Sequence, residues 1–373
     1  MLVYAVIRPH IFYQVPSTMT SPSLPARPLR LGVLGCANIA RQFARDVASS
    51  PWVSVDAVAS RRSETAMGFA KACGIGRWHG SYEALLADAQ LDAIYLPLPN
   101  SLHAEWAIKA AQAGKHVLCE KPFAFDPAEA VKMTEASERT GKHLAVASAR
   151  QRCWAASRKA QELASSGELG DVYHVRSSAF RFRGRPGIDI LRDTHWFIDH
   201  ARAGGGALID IGVYQIDALL WILGNPKVTS VLCSTRMGIG SPAPAPLVQD
   251  VEDHAVVMFT CEGGKSGILE ITWSSNMSNV NQFLVFGTKA GLKFSPLTMT
   301  APGPYNQLRP VEQKILDVTD EDTSGFGDVS QQFVDAILAG KVPHTPARHA
   351  LEVTRVMEAA YQSAKTGHAV SLA

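Results

Sequence analysis

From Leu29 to about residue 146, short apolar runs alternate with longer stretches whose apolar residues recur at helical spacing. The pairs are Leu29 to Leu34 with Ile39 to Ser49, Val53 to Ala59 with Ser63 to Ala72, and Ala93 to Leu96 with Ser101 to Ala113. His116 to Cys119, a helix over Asp126 to Thr140, and Leu144 to Val146 extend the series. Such alternation marks βαβ units, and right-handed crossovers assemble them into a Rossmann-type, doubly wound parallel sheet with helices on both faces.

Beyond residue 150 the rhythm changes. A helix over Ala155 to Ser166 precedes longer alternating strands at Val172 to Phe182, Val228 to Cys233, Glu252 to Thr260, Ser266 to Ser274 and Gln282 to Phe286. Few helices separate them, which predicts an α/β domain with a large, mostly antiparallel sheet. Gly204-Gly205-Gly206 opens Ala207 to Leu223, a run apolar nearly all round and therefore read as a buried helix. Gly240 to Pro246 reads as a loop, Gly325-Phe326-Gly327 introduces a helix to Leu338, and a last helix covers Ala347 to Lys365. The predicted organisation is an arm over 1–28, a nucleotide-binding domain over 29–149 and a second domain over 150–373.

The arm is expected to be poorly ordered. Met1 to Val15 is apolar in part but interrupted by Arg8 and His10, which fits neither a signal peptide nor a membrane span. A start at Met19 would leave a proline-rich polar arm, Thr20 to Pro28, unsuited to helix or central strand.

Composition narrows the function classes. An apolar fraction of 46% with 19% charged residues over 373 residues describes a globular chain long enough for two domains. A net charge of +2 without Lys/Arg runs leaves no surplus to neutralise a row of phosphates, so no nucleic-acid partner is expected. Six scattered cysteines with no C-x-x-C pair and no Cys/His cluster read as reduced thiols of a cytoplasmic protein without a metal.

Candidate chemistry begins at Glu120-Lys121-Pro122, where the strand His116 to Cys119 ends. Ligands of open parallel sheets sit outside the carboxyl ends of the strands, so Lys121 is positioned to reach a substrate, and Pro122 disfavours a helical conformation for it. Gly35-Cys36-Ala37-Asn38-Ile39-Ala40 follows the first strand and opens the first helix as G-x-A-x-x-A, a dinucleotide fingerprint with alanines for two glycines. The second strand ends at Ser60-Arg61-Arg62. A carboxylate there would bind ribose hydroxyls, whereas two guanidinium groups suit a 2′-phosphate, which favours NADP and leaves NAD possible. Asp210 and Tyr214 lie four residues apart on one face of the helix after the triple glycine. An ammonium such as Lys121 beside Tyr214 would lower the phenol pKa, and Asp210 would orient the substrate or the tyrosine. His195, Trp196 and Arg152 are further candidates for a sugar-sized pocket.

Four motifs in order, Gly35 to Ala40, Leu96-Pro97-Leu98-Pro99-Asn100-Ser101-Leu102-His103, Ala113 to Pro122 and Gly204 to Tyr214, resemble the glucose-fructose oxidoreductase, inositol dehydrogenase and rhizopine catabolism (Gfo/Idh/MocA) family. The similarity runs from about Leu29 to the C-terminus and takes in Gly287 to Gly291 and Glu358 to Ser363. It implies hydride transfer between nicotinamide and a carbinol carbon of a sugar or polyol, no metal, and a homodimer or homotetramer built on the second sheet. By matching position, Lys121 would hydrogen-bond the reacting oxygen and Glu120 would lie beside the nicotinamide ribose. Pro97, Leu98, Asn100 and His103 would line the cofactor cleft. Tyr214, where inositol dehydrogenase-like members have histidine, looks like the NADP-dependent xylose, dihydrodiol and ketosugar subgroup. The segments Gln151 to Ala155 and Arg181 to Asp199 depart from the family pattern and are expected to touch the substrate. Two alternatives are a trans-dihydrodiol dehydrogenase, which aromatic walls around Tyr214 would favour, and a catalytically silent NADP-binding regulator.

Overall fold

The apolar runs of the first half become six parallel strands: β1 (Leu29–Leu34), β2 (Val53–Ala59), β3 (Arg77–His79), β4 (Ala93–Leu96), β5 (His116–Cys119) and β6 (Leu144–Val146). The computed structural model describes residues 27–48, 50–303, 309–317 and 326–372; the expectations for residues 1–26, Ser49 and Gly325 fall outside them. The strands lie in the order β3-β2-β1-β4-β5-β6, the doubly wound arrangement that places a ligand crevice where the order reverses beside β1. Leu31, Val33, Leu34, Ile94, Leu96 and Val117 are fully buried, because helices cover both faces of a parallel sheet.

The covering helices are α1 (Asn38–Val47), α2 (Ser63–Cys73), α3 (Tyr82–Leu86), α4 (His103–Gln112) and α5 (Pro127–Thr140). The start of α5 is sharply specified. Asp126 accepts the Glu129 amide at 2.8 Å, Glu129 reaches back to the Phe125 amide at 3.3 Å, and proline occupies the first turn. Such a cap contributes about 1 kcal/mol and fixes the length of the loop that carries Lys121. β3 and α3 are absent from the sequence reading, being too short to express a period.

The second sheet has nine strands: β7 (Val172–Phe180), β8 (Val228–Arg236), β9 (His254–Cys261), β10 (Ser266–Thr272), β11 (Val280–Gly287), β12 (Gly291–Lys293), β13 (Leu297–Pro302), β14 (Pro310–Leu316) and β15 (Val370–Ser371). They run in the order β14-β13-β12-β11-β7-β10-β9-β8-β15, and among the described strands of this sheet only β7 and β10 pair in parallel. One face is packed by α6 (Ala155–Ser165), α8 (Val213–Ile222) and α10 (Ala347–Thr366), around a core that includes Trp273, Phe259 and Leu269. The stretch His200–Ile222 is apolar enough to cross a membrane, yet 83% of that window is buried in the fold. It contains α7 (His200–Ala203) and a π-helical turn at Leu208–Gly212 before α8.

The division at residue 150 describes the two sheets better than the helices. In α9 (Phe326–Leu338), Val329, Phe333 and Val334 pack with Leu31, Phe43, Tyr95 and Leu118 of the first sheet. Ala347 and Ala350, opening α10, pack with Met133 and Val146. The chain returns from the second sheet to close the first, and a sequence pattern that finds helices does not say which sheet each one covers.

Candidate active site

At the carboxyl edge of the first sheet, the turns after β1, β2 and β4 enclose an open cavity of about 490 Å³ lined by Gly35, Cys36, Ala37, Ser60, Arg61, Arg62, Pro97 and Leu98. Gly35 has φ of 129°, and a Cβ there would sit 3.0 Å from the Leu98 side chain and 3.4 Å from the Pro97 carbonyl, so only glycine permits this close approach of two loops. α1 begins at Asn38 with Ala37 as its cap residue, and no side chain caps it and no acid occupies its first turn. Its leading amides, including that of Ile39, therefore remain for an anion at the positive end of the helix. Arg61 adds a guanidinium to the same lining as Tyr82. A backbone cradle, a helix N-terminus and two arginines fit a phosphorylated dinucleotide. Thr65, Tyr82 and Pro99 also line the cavity and were missed in the sequence, since no motif marks them.

Glu120, at the end of β5, is buried and accepts a 2.6 Å hydrogen bond from Tyr95 and a 3.2 Å one from the Lys121 amide. Two predicted cleft residues instead brace the cleft from behind. Asn100 is buried and donates to the Ala203 carbonyl of α7 at 2.9 Å, tying the two halves of the chain together. His103 is fully buried with its ring nitrogens 2.7 Å from the Pro122 carbonyl and 2.9 Å from the Leu98 carbonyl. It holds the loop after β4 against the loop that carries Lys121.

Across the cleft, the π-helical turn brings up Asp210 and the first turn of α8 brings up Tyr214. Lys121 Nζ lies 2.6 Å from Asp210 Oδ1, 2.8 Å from the Asp210 carbonyl and 5.0 Å from the Tyr214 ring centre. The Lys121 and Asp210 side chains are only 13% and 15% exposed, so their attraction is little screened by water. The second carboxylate oxygen of Asp210 accepts the indole N–H of the fully buried Trp273 at 3.0 Å. Asp210 therefore fixes Lys121, where the sequence suggested that it would orient the tyrosine or the substrate. The turn itself is held by Glu252, whose carboxylate accepts the Gly206 and Leu208 amides and the Tyr361 hydroxyl, each at 2.9 Å. A Cβ at Gly206 would overlap the Glu252 carbonyl at 2.0 Å, which explains the central demand for glycine before this turn.

The protonation of the cluster also differs from expectation. Burial would lower the Lys121 pKa, but the Asp210 charge, with Tyr214 and the hydrogen bond to Asp210, outweighs it and raises the pKa. Asp210 is correspondingly lowered: burial pushes its carboxyl up, and Lys121 more than reverses this. The phenol of Tyr214 is raised, not lowered. Burial is the largest cause, and the negative charges of Glu120 and Asp210 offset the help of Lys121 and of Arg150, whose guanidinium lies 5.2 Å from the ring centre. The sequence argument counted the lysine and omitted the burial of the phenol, to which the carboxylates add.

Asp210 and Tyr214 line a cavity of about 470 Å³ with Arg150, Gln151, Trp154, Phe180, Arg181, Gln215 and Asn281 among its walls. Arg152 is not among them. It is 2% exposed and makes a bidentate ion pair with Asp217, both contacts at 2.7 Å, and donates to the His344 carbonyl. Trp196 stacks on Phe197 at 4.0 Å outside this lining, and the exposed His195 ring meets the Gly187 carbonyl at 3.0 Å. The segments expected at the substrate contribute Gln151, Trp154 and Arg181 to this lining. Which arginine of Arg150 and Arg152 faces the cavity is set by a short 3₁₀ turn over Ala147–Cys153, and no sequence period reveals that. Among the described residues no group of three His, Cys, Asp or Glu side chains is placed to hold a metal ion.

A doubly wound sheet with a fitted phosphate cradle, facing a lysine, an aspartate and a tyrosine across a cleft, defines a nicotinamide-dependent oxidoreductase. Residues 29–148 match the model of the oxidoreductase family with an NAD-binding Rossmann fold, and residues 157–293 match the GFO/IDH/MocA C-terminal domain. D-xylose 1-dehydrogenase (NADP(+)) 2 of Haloferax volcanii is 31% identical over 347 residues, 92% of this chain and 100% of that protein. D-glucoside 3-dehydrogenase of Escherichia coli is 27% identical, covering 94% of this chain and 99% of that protein. The crystal structure of an oxidoreductase domain protein from Kribbella flavida superposes with a TM-score of 0.81 at 25% identity, covering 93% of this chain and 100% of that one. The chain belongs to the Gfo/Idh/MocA oxidoreductase family and is an enzyme acting on CH–OH groups.

Proposed function

We propose that this enzyme is an NADP-dependent oxidoreductase of a sugar or polyol, with Tyr214 exchanging the proton of the reacting hydroxyl and Lys121 holding the oxygen beside it. The observation that carries the reading is the convergence of Lys121, Asp210 and Tyr214 from both sides of one cleft. When bound, the dinucleotide supplies the hydride acceptor or donor. The residues that suit it are Gly35 to Ile39 for the diphosphate and Ser60, Arg61 and Arg62 for a 2′-phosphate, with Glu120 toward the nicotinamide end. The Haloferax relative is an NADP(+) xylose dehydrogenase, which supports NADP here.

The chain's own steps follow from charge. With its pKa raised, Tyr214 carries its proton at neutral pH and is a ready acid for carbonyl reduction. In the oxidative direction its minor phenolate form takes the hydroxyl proton while the Lys121 ammonium, kept charged by Asp210, stabilises the developing oxyanion. A polar lining with only Trp154 and Phe180 as flanking aromatic walls favours a sugar over the flat diol of a dihydrodiol dehydrogenase. The test is NADP-coupled oxidation over a panel of aldoses, polyols and trans-dihydrodiols. Turnover confined to the dihydrodiols, or to none of them despite tight NADPH binding, would overturn the reading.

The reading extends to self-association. On the uncovered face of the second sheet, Leu232 pairs with Met258, Met258 with Ile268, and Ile268 and Leu284 flank Arg176. This row crosses five strands, and Leu232 and Met258 are each 45% exposed, as is Tyr173 nearby. An apolar stripe of this kind, broken at Arg176, is read here as an interface for a second copy of the chain.

A further inference from the structure

The walls of the Tyr214 cavity are rich in hydrogen-bond donors and poor in acceptors. Asp210 is the one carboxylate in this lining among the described residues, and Lys121 and Trp273 occupy both of its oxygens. The amide oxygen of Gln215 is taken by the Ser177 hydroxyl at 2.6 Å, and that of Asn279 by the Phe182 amide at 2.8 Å. On the donor side, the Trp154 indole N–H is buried and has no partner.

The arginines sharpen the contrast. Arg152 is consumed by Asp217, Arg185 by Asp253, and Arg183 by the Phe182 and Ser275 carbonyls and Asn276. The guanidinium of Arg181, which lines the cavity, makes no hydrogen bond or ion pair with any described residue, and only the backbone of this residue is bonded. Its charge is felt at Asp210, which it helps to keep ionised. A neutral polyol offers a donor with every hydroxyl and asks for acceptors in return, whereas the side-chain acceptors left open in this cavity are few, the amide oxygens of the buried Gln151 and of Asn281. An uncommitted guanidinium in a half-enclosed site, with an idle indole N–H in the same walls, asks for an anion.

Resting on the proposed sugar oxidoreductase activity, we infer that the substrate is an acidic sugar and that Arg181 binds its carboxylate. The planar fork of arginine matches a carboxylate in two parallel hydrogen bonds, and one guanidinium balances one negative charge. The rest of the sugar then lies toward Tyr214 and Lys121, with Gln151 accepting from a ring hydroxyl. Arg181 is thus a specificity residue and takes no part in proton transfer.

The test is a calorimetric titration of the NADPH complex, which cannot oxidise its ligand, with three uronates (D-glucuronate, D-galacturonate and D-mannuronate), the matching aldoses, and D-glucose 6-phosphate. At least one uronate is expected to bind about tenfold or more tighter than its aldose, equivalent to about 1.4 kcal/mol. Arg181→Gln is expected to erase that difference while NADPH affinity and melting temperature hold, which excludes a folding defect. Aldoses that bind as well as their uronates, uronates that do not bind, or a preference that survives Arg181→Gln would each overturn the inference. Tighter binding of glucose 6-phosphate than of any uronate would replace the carboxylate with a phosphate and likewise overturn it. Parallel NADP-coupled assays separate the two levels: aldoses oxidised and uronates ignored sink this inference alone, and no oxidation of either class sinks the sugar reading beneath it.

Discussion

Tyr214 is governed by its burial more than by the ammonium beside it. Lys121 and Arg150 both favour its phenolate, and burial with Glu120 and Asp210 overrides them. A raised phenol pKa leaves the acid form dominant across the ordinary pH range, so the oxidative rate, which needs the base, should climb steadily with pH, whereas the reductive rate should stay level. Asp210→Asn removes one of the charges that raise Tyr214, so the rising limb of the oxidative profile should move to lower pH; an unmoved limb would contradict the assignment. On the cofactor side, Arg61 and Arg62 line the cavity beside Ser60, with no carboxylate at the end of β2. Fluorescence titration should find NADPH bound more tightly than NADH, and Arg61→Ala should weaken NADPH about tenfold, as expected for a charge-assisted hydrogen bond, with little change for NADH. Equal loss for both cofactors would move Arg61 away from the 2′-phosphate.

At the scale of elements, the strongest device is a break in regularity. The π-helical turn at Leu208–Gly212 widens the helix where Asp210 must reach Lys121, and such turns recur at functional sites. Buried polar pairs hold the elements around it. Arg152 locks the 3₁₀ turn before α6 onto Asp217 of α8 with both side chains almost wholly buried. Arg152→Ala leaves an unpaired buried carboxylate and should cost roughly 3–5 kcal/mol in chemical denaturation. The folded variant should keep its cofactor affinity; selective loss of sugar binding with unchanged stability would return Arg152 to the pocket. This is also where sequence reading reached its limit. The βα alternation, the Gly35 turn and the lysine after β5 were legible, because each follows from periodicity or from a conformation only certain residues adopt. Arg152 and Trp196 were misdirected because residue type alone cannot tell a pocket guanidinium from one spent on Asp217, or an indole at the substrate from one stacked on Phe197. The strands β12 to β14 were unread because alternation over three to seven half-exposed residues is a faint signal.

For the whole molecule, the two sheets are joined by contacts that run through the site itself. Lys121 to Asp210, Asn100 to the Ala203 carbonyl, and the paired Val146 and Thr345 hydrogen bonds all cross between the halves of the chain. Packing of α9 on the first sheet makes the closure part of the core. A cleft braced in this way positions the proposed catalytic side chains before substrate arrives. The proposed self-association through the open face of the second sheet predicts that Met258→Glu converts an oligomer to monomer in light scattering, with the melting temperature of the monomer falling only modestly; an unchanged mass would place the interface elsewhere. The central claim, that Tyr214 moves the proton, is tested most directly by the kcat of Tyr214→Phe at saturating NADP and sugar, in protein whose NADPH affinity matches the parent. The account expects a fall of about a hundredfold or more with little change in KM. A kcat within a few-fold of the parent would contradict it and leave Lys121 as the acid–base group.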